Sequence, residues 1–136
     1  MEPMPSSSES LLSSALSLYR EALRCLEEGV RENSMIKMKD AATRAWEAVT
    51  QAVDALIFKR SSQLPRSHYE RRRLLMYIES EDPELSRRGL YERFVARSRL
   101  FKGEMLHEDI IDTGLIRYEV EKAGELLELV KEKLGL

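Results

Sequence analysis

One cysteine, Cys25, and two histidines are all that this 136-residue chain offers as thiolate and imidazole metal ligands. A lone cysteine forms no intrachain disulfide, and the three residues together fall short of the four ligands of a tetrahedral zinc site. The expectation is a reducing, cytoplasmic setting with no metal and no cofactor. Turn formers are scarce as well. Six glycines and four prolines, two of them Pro3 and Pro5, are too few for the reversals of a sandwich or barrel. No stretch approaches the roughly 20 apolar residues that cross a bilayer. The opening MEPMPSSSES places an acid and serines where a secretory leader needs a cationic start and an apolar run. Membrane attachment and secretion are therefore not expected. Phosphate-loop, dinucleotide, zincin, serine-hydrolase and paired C-x-x-C motifs are all missing, so none of those chemistries has support.

What is present is helical rhythm. Residues 1–8 hold only Met1 and Met4 as apolar side chains and are expected to form a flexible tail, leaving 9–136 as a single domain. Leu12, Leu16, Tyr19, Leu23, Leu26 and Val30 alternate spacings of four and three, which places them on one stripe of a helix ended by Gly29 and Asn33. Ser34 is a natural N-cap for a second helix carrying Met38, Ala42, Ala45, Val49, Ala52 and Leu56 at the same spacing. Trp46, Val53 and Ile57 form a second strip beside it, as a central helix buried on two sides requires. A last helix runs through Ile116, Val120, Ala123, Leu127, Val130 and Leu134, capped by Asp112 or Thr113.

Between these, Ser67 and Glu70 have capping-box spacing and predict a helix over 68–80. The run Leu74 to Ile78 would also suit a buried strand, but no second strand exists to pair with it, and helix is the reading taken. Asp82 before Pro83 opens a further helix expected to continue through Leu90, Tyr91, Phe94 and Phe101, with Gly103 ending or kinking it. The expected fold is all-α, an antiparallel bundle of four to five helices packed at about +20°.

Charge is nearly balanced overall, at 22 basic against 24 acidic residues, but not along the chain. Residues 1–58 hold 6 basic and 9 acidic side chains, 59–102 hold 12 and 6, and 103–136 hold 4 and 9. The basic middle contains Arg71, Arg72, Arg73, Arg87, Arg88, Arg93, Arg97 and Arg99, with Tyr69, Tyr77, Tyr91, Phe94 and Phe101 interleaved. Such a block either pairs with the acidic arms or presents cations and rings to phosphates and unpaired bases.

Glu104 and His107 make one E-x-x-H, the spacing of di-iron bundles. The second copy such bundles need is missing, because Pro65 stands three residues before His68. His107 also adjoins Glu108 and Asp109, carboxylates that would orient the imidazole and favour its charged form for acid–base work. His68 reads as the first residue of its helix, where the positive helix end favours a neutral ring.

The long first helix, the alanine-rich second (Ala41, Ala42, Ala45, Trp46, Ala48, Val49, Ala52) and the late Leu106-His107-x-Asp109-Ile110-Ile111 together resemble the archaeal PaREP branch of the HEPN superfamily, whose signature is L-H-x-N-F-Y. The resemblance, over about 10–134, implies a compact helical bundle and a homodimer. In many HEPN proteins it also implies a metal-independent ribonuclease built from R-x(4–6)-H motifs that meet across the dimer cleft. Other members bind nucleotides or partner proteins, and a nucleotidyltransferase is one expected partner. His107 matches the histidine. At the arginine's place, with four residues between, stands Lys102, a point charge without the guanidinium fork, while Arg99 lies too far upstream. The first expectation is accordingly a noncatalytic dimer that binds RNA or a protein through its basic middle. The second is a divergent ribonuclease using His107 and Lys102, aided by Arg97 or Arg99.

Overall fold

Five of the helix starts among the described residues are written in a short polar side chain. In the computed structural model, which describes residues 7–99, 101 and 112–136, Ser7 accepts from the Ser10 N–H and opens α1 (Ser8–Arg31). Ser34 accepts from the Lys37 N–H and opens α2 (Met35–Ser61). Ser67 opens α3 (His68–Ser80), Asp82 opens α4 (Pro83–Arg87), and Asp112 opens α6 (Thr113–Leu134) by accepting from Gly114 and Leu115. Asp112, and not Thr113, is thus the cap of the last helix. Between α4 and α6 lies α5 (Leu90–Arg99). Among the described residues there are six helices and no strand, and Leu74 to Ile78 lie inside α3.

Two expectations need correcting. The helix expected to run from Pro83 through Phe101 is broken: Gly89 has φ 68°, a left-handed conformation that ends α4 and lets its carbonyl start α5 by accepting from Arg93. Two helices therefore replace one, and the count among the described residues is six. Gly29 does not stop α1 but lies buried within it. The stop is Asn33, at φ 53°, where Ser34 donates to the Gly29 carbonyl and Asn33 to that of Val30, the paired bonds of a Schellman turn.

That turn folds α1 back on α2, and α2 also packs against α6, α3 and α5. The central position expected for α2 follows from its composition. Ala41, Ala42, Ala45, Ala48, Ala52 and Ala55 are fully buried, and their small side chains bring neighbouring backbones close. This close approach rotates α1 away from its expected stripe. Its buried face is Leu12, Ala15, Ala22, Cys25, Leu26 and Gly29, while Leu16, Tyr19 and Val30 are half-buried and Leu23 is exposed. Small residues occupy the line of contact and the larger ones flank it. The α6 stripe is buried as expected from Ile116 to Val130, with Leu129 and Leu126 added on its flank.

Tyr19 ties α1 to α6. Its hydroxyl donates to the Val120 carbonyl at 2.9 Å, and its ring lies where a side chain on Gly124 would stand, since a Cβ there would be 2.7 Å from Tyr19 Cζ. Burial, and then the carboxylates of Glu121 and Glu125, push the Tyr19 phenol pKa up.

Asp82 joins three helix ends. One carboxylate oxygen caps α4, and the other lies 2.9 Å from Arg60 Nη2 on α2 and 3.0 Å from Lys133 Nζ on α6. Burial raises the pKa of this carboxyl, but Arg60, Lys133 and the Leu85 N–H together outweigh it and hold the group well below the usual carboxylate range. A carboxyl depressed in the folded state stabilises above its unfolded value of about 3.9, and that contribution disappears as pH falls through the folded value. The Asp82 side chain is 13% exposed, so screening is limited. Replacing Asp82 with alanine is expected to cost about 2–3 kcal/mol at pH 7, from the lost cap and the charged hydrogen bonds. Melting should fall by roughly 10 °C. Asp82→Asn keeps a good cap and should lose about half as much, with a flatter decline of stability below about pH 4. Urea titrations at pH 7 and pH 3 test this, and a wild-type-like acid limb in Asp82→Asn would refute it.

Candidate nucleic-acid interface

The basic middle of the chain is distributed over α3, α4 and α5, and the fold divides it into two groups. The Ser67 cap sets the rotation of α3, and Glu70 reaches back to accept from the Arg66 N–H at 3.1 Å, a displaced form of the capping box. With Leu75 and Ile78 turned into the core, Arg71 also faces inward. It grips Asp54 of α2 through two bonds, Nε to Oδ1 at 2.6 Å and Nη2 to Oδ2 at 3.1 Å. Burial raises the Asp54 pKa more than Arg71 lowers it, which marks the pair as a desolvated clamp between α2 and α3.

Three other arginines are likewise committed within the chain. Arg88 lies 2.6 Å from Glu132, Arg93 lies 3.7 Å from Glu125, and Arg97 lies 2.7 Å from Glu119. The last pair is in the interior, at 11% and 6% exposure. Arg97 is thus no surface cation. Arg72, Arg73, Arg87 and Arg99 are different: all four are exposed, and none forms an ion pair among the described residues. Half of the expected interface is therefore paired with carboxylates within the chain, and half has no ion pair among the described residues.

The rings divide in the same way. Phe94 and Phe101 are fully buried, so they belong to the core and have no face to offer a base. Tyr69 and Tyr77 are 66% and 63% exposed. Tyr69, Arg72, Arg73 and Met76 follow i, i+3, i+4, i+7 and form one outward stripe of α3. Together with Tyr91 of α5 they line a groove of about 180 Å³. Arg72 Nη2 is 3.5 Å from the Tyr91 hydroxyl, and the Arg73 guanidinium carbon lies 6.0 Å from the Tyr69 ring centre, within cation–π range. Met76 was not anticipated at this site, and its i+7 spacing from Tyr69 is the signal that would have found it.

Beneath the groove, α5 is held by rings. Phe94 stacks on Trp46 of α2 at 5.4 Å and lies 5.7 Å from His68, whose Nε2 is 3.2 Å from Ser98 Oγ. His68 is indeed the first residue of α3, and its ring is part of this packing.

A larger cavity, about 550 Å³, lies between Tyr19, Arg88, Arg93 and the α6 residues Glu121, Gly124, Glu125, Glu128 and Leu129. Its three glutamates repel a polyanion and its arginines already have carboxylate partners, so it does not serve as the interface. No cluster of metal-ligating side chains occurs among the described residues, and no helix among them is long and apolar enough to cross a membrane. His107, Lys102 and the E-x-x-H that includes Glu104 lie outside the described residues. Compared with protein-family models, curated proteins and solved structures, the chain finds no match.

Proposed function

We propose that this chain is a HEPN-like helical bundle, working as a homodimer, that binds nucleic acid through the outer face of α3 without itself being the catalyst. The observation carrying this reading is the exposed pair Arg72 and Arg73, free of carboxylates among the described residues and flanked by exposed tyrosines. Guanidinium groups already neutralised within the fold add little to phosphate binding, whereas two open ones release counterions on contact. The long α1, the alanine-rich α2 and the closing α6 are consistent with the HEPN-like reading.

Filter binding of a labelled RNA oligonucleotide across a salt series tests the proposal. Affinity should fall steeply with salt. Arg72→Ala with Arg73→Ala should weaken binding and reduce the slope of log K against log salt by roughly 1.4–1.8, the share of two phosphate contacts. Arg88→Ala, at a position already paired with Glu132, should change the slope little. Affinity that stays flat between low and moderate salt would overturn the reading.

A further inference from the structure

We infer that the groove between α3 and Tyr91 receives an unpaired nucleobase, so that the interface selects single-stranded RNA over duplex. The inference rests on the nucleic-acid reading above and adds to it the class of ligand. Cations alone would suit any polyanion, duplex or acidic protein included. What distinguishes this face is that its open guanidiniums stand beside ring surface that is also open.

Tyr69 keeps two thirds of its surface in water, although burial of a tyrosine ring is favourable wherever a neighbour is available. Arg73 Nη1 lies 3.5 Å from the Tyr69 hydroxyl and Arg72 Nη2 3.5 Å from that of Tyr91, so each charge is placed beside an aromatic side chain. Met76 adds a polarisable thioether to the lining. A flat, electron-rich heterocycle would contact ring, thioether and guanidinium together while its phosphates meet the outer cations. In a duplex the base faces are covered by their stacked neighbours, and this surface has nothing to bind except the backbone. An acidic peptide would satisfy the arginines but has no planar group for Tyr69 and Tyr91.

Three probes separate the contributions: an RNA oligonucleotide without self-complementarity, the duplex of the same sequence, and inorganic polyphosphate. The single strand should bind roughly tenfold more tightly than the duplex at equal salt, the share of one stacked base. Tyr69→Ala, at a position 66% exposed, should remove most of that preference while leaving the salt slope near that of the parent, with a thermal melt confirming the fold. Tyr69→Phe keeps the ring and should restore the preference. Equal affinity for single strand and duplex, or a preference that survives in Tyr69→Ala, would overturn the stacking site and leave the phosphate-binding face standing. Failure of all three probes to bind would overturn both.

Discussion

Glu119→Ala is expected to lower folding stability by about 3–5 kcal/mol, a large part of what holds a domain of this size together. The reason is what the substitution leaves behind. Arg97 and Glu119 join α5 to α6 inside the molecule, with Nη2 2.7 Å from Oε2. Neither Arg97 Nε nor Glu119 Oε2 completes a hydrogen bond, so the contact is one of charge on charge without good direction. Such a pair is costly to desolvate and gains little beyond its mutual attraction. Removing the carboxylate strands a guanidinium whose side chain is only 11% exposed. The sharper expectation concerns the double variant. Replacing Arg97 with methionine and Glu119 with leucine fills a similar volume without charge, and should recover nearly all of the loss or exceed the parent stability. Urea unfolding of the two single variants and the double one gives the cycle. A double variant as unstable as the single ones would show that the pair stabilises the fold on balance, and would refute this account.

The cycle also bears on what the sequence made legible. Helix starts were readable because capping is local: Ser34, Ser67 and Asp82 each announce a helix within three residues. The core stripe of α6 was readable because large apolar side chains dominate it, and that of α2 because Met38, Val49 and Leu56 keep the same register as its alanines. The α1 face was not, because Ala15, Ala22 and Gly29 carry little hydrophobic signal yet sit where α2 approaches most closely. The break at Gly89 was present in the sequence as a lone glycine after two arginines, outweighed by the apolar rhythm that continues past it. The interface was legible as a block but not as a site. Arg71 and Arg72 are adjacent and identical as letters, and they meet opposite fates because one faces Asp54 and the other faces solvent. Which arginine is consumed depends on the helix rotation set by Leu75 and Ile78 and on carboxylates far away in the chain. The Phe94 and Phe101 rings, counted beside the tyrosines as possible stacking partners, are excluded for the same reason.

Phe94→Ala should cost about as much as Glu119→Ala, roughly 3–5 kcal/mol, through a different mechanism. The ring is fully buried and stacks on Trp46 with 29° between planes, while His68 approaches it from α3. Truncation removes the apolar area and leaves a cavity where α2, α3 and α5 meet. Tyr91 stands one turn before Phe94 on the same helix, and the groove it shares with Arg72 and Met76 keeps its width only while α5 is held against α3. The substitution should therefore reduce single-strand preference even where the protein remains folded, although Phe94 itself contacts no ligand. Phe94→Leu retains most of the volume, should cost under about 1.5 kcal/mol, and should leave the preference largely intact. Trp46 is the chain's single tryptophan, so its emission reports on the loss of the stacked ring directly. If Phe94→Ala unfolded within 1 kcal/mol of the parent, by the ordinary tolerance of surface positions, and Trp46 emission did not shift, this junction would not belong to the cooperative core.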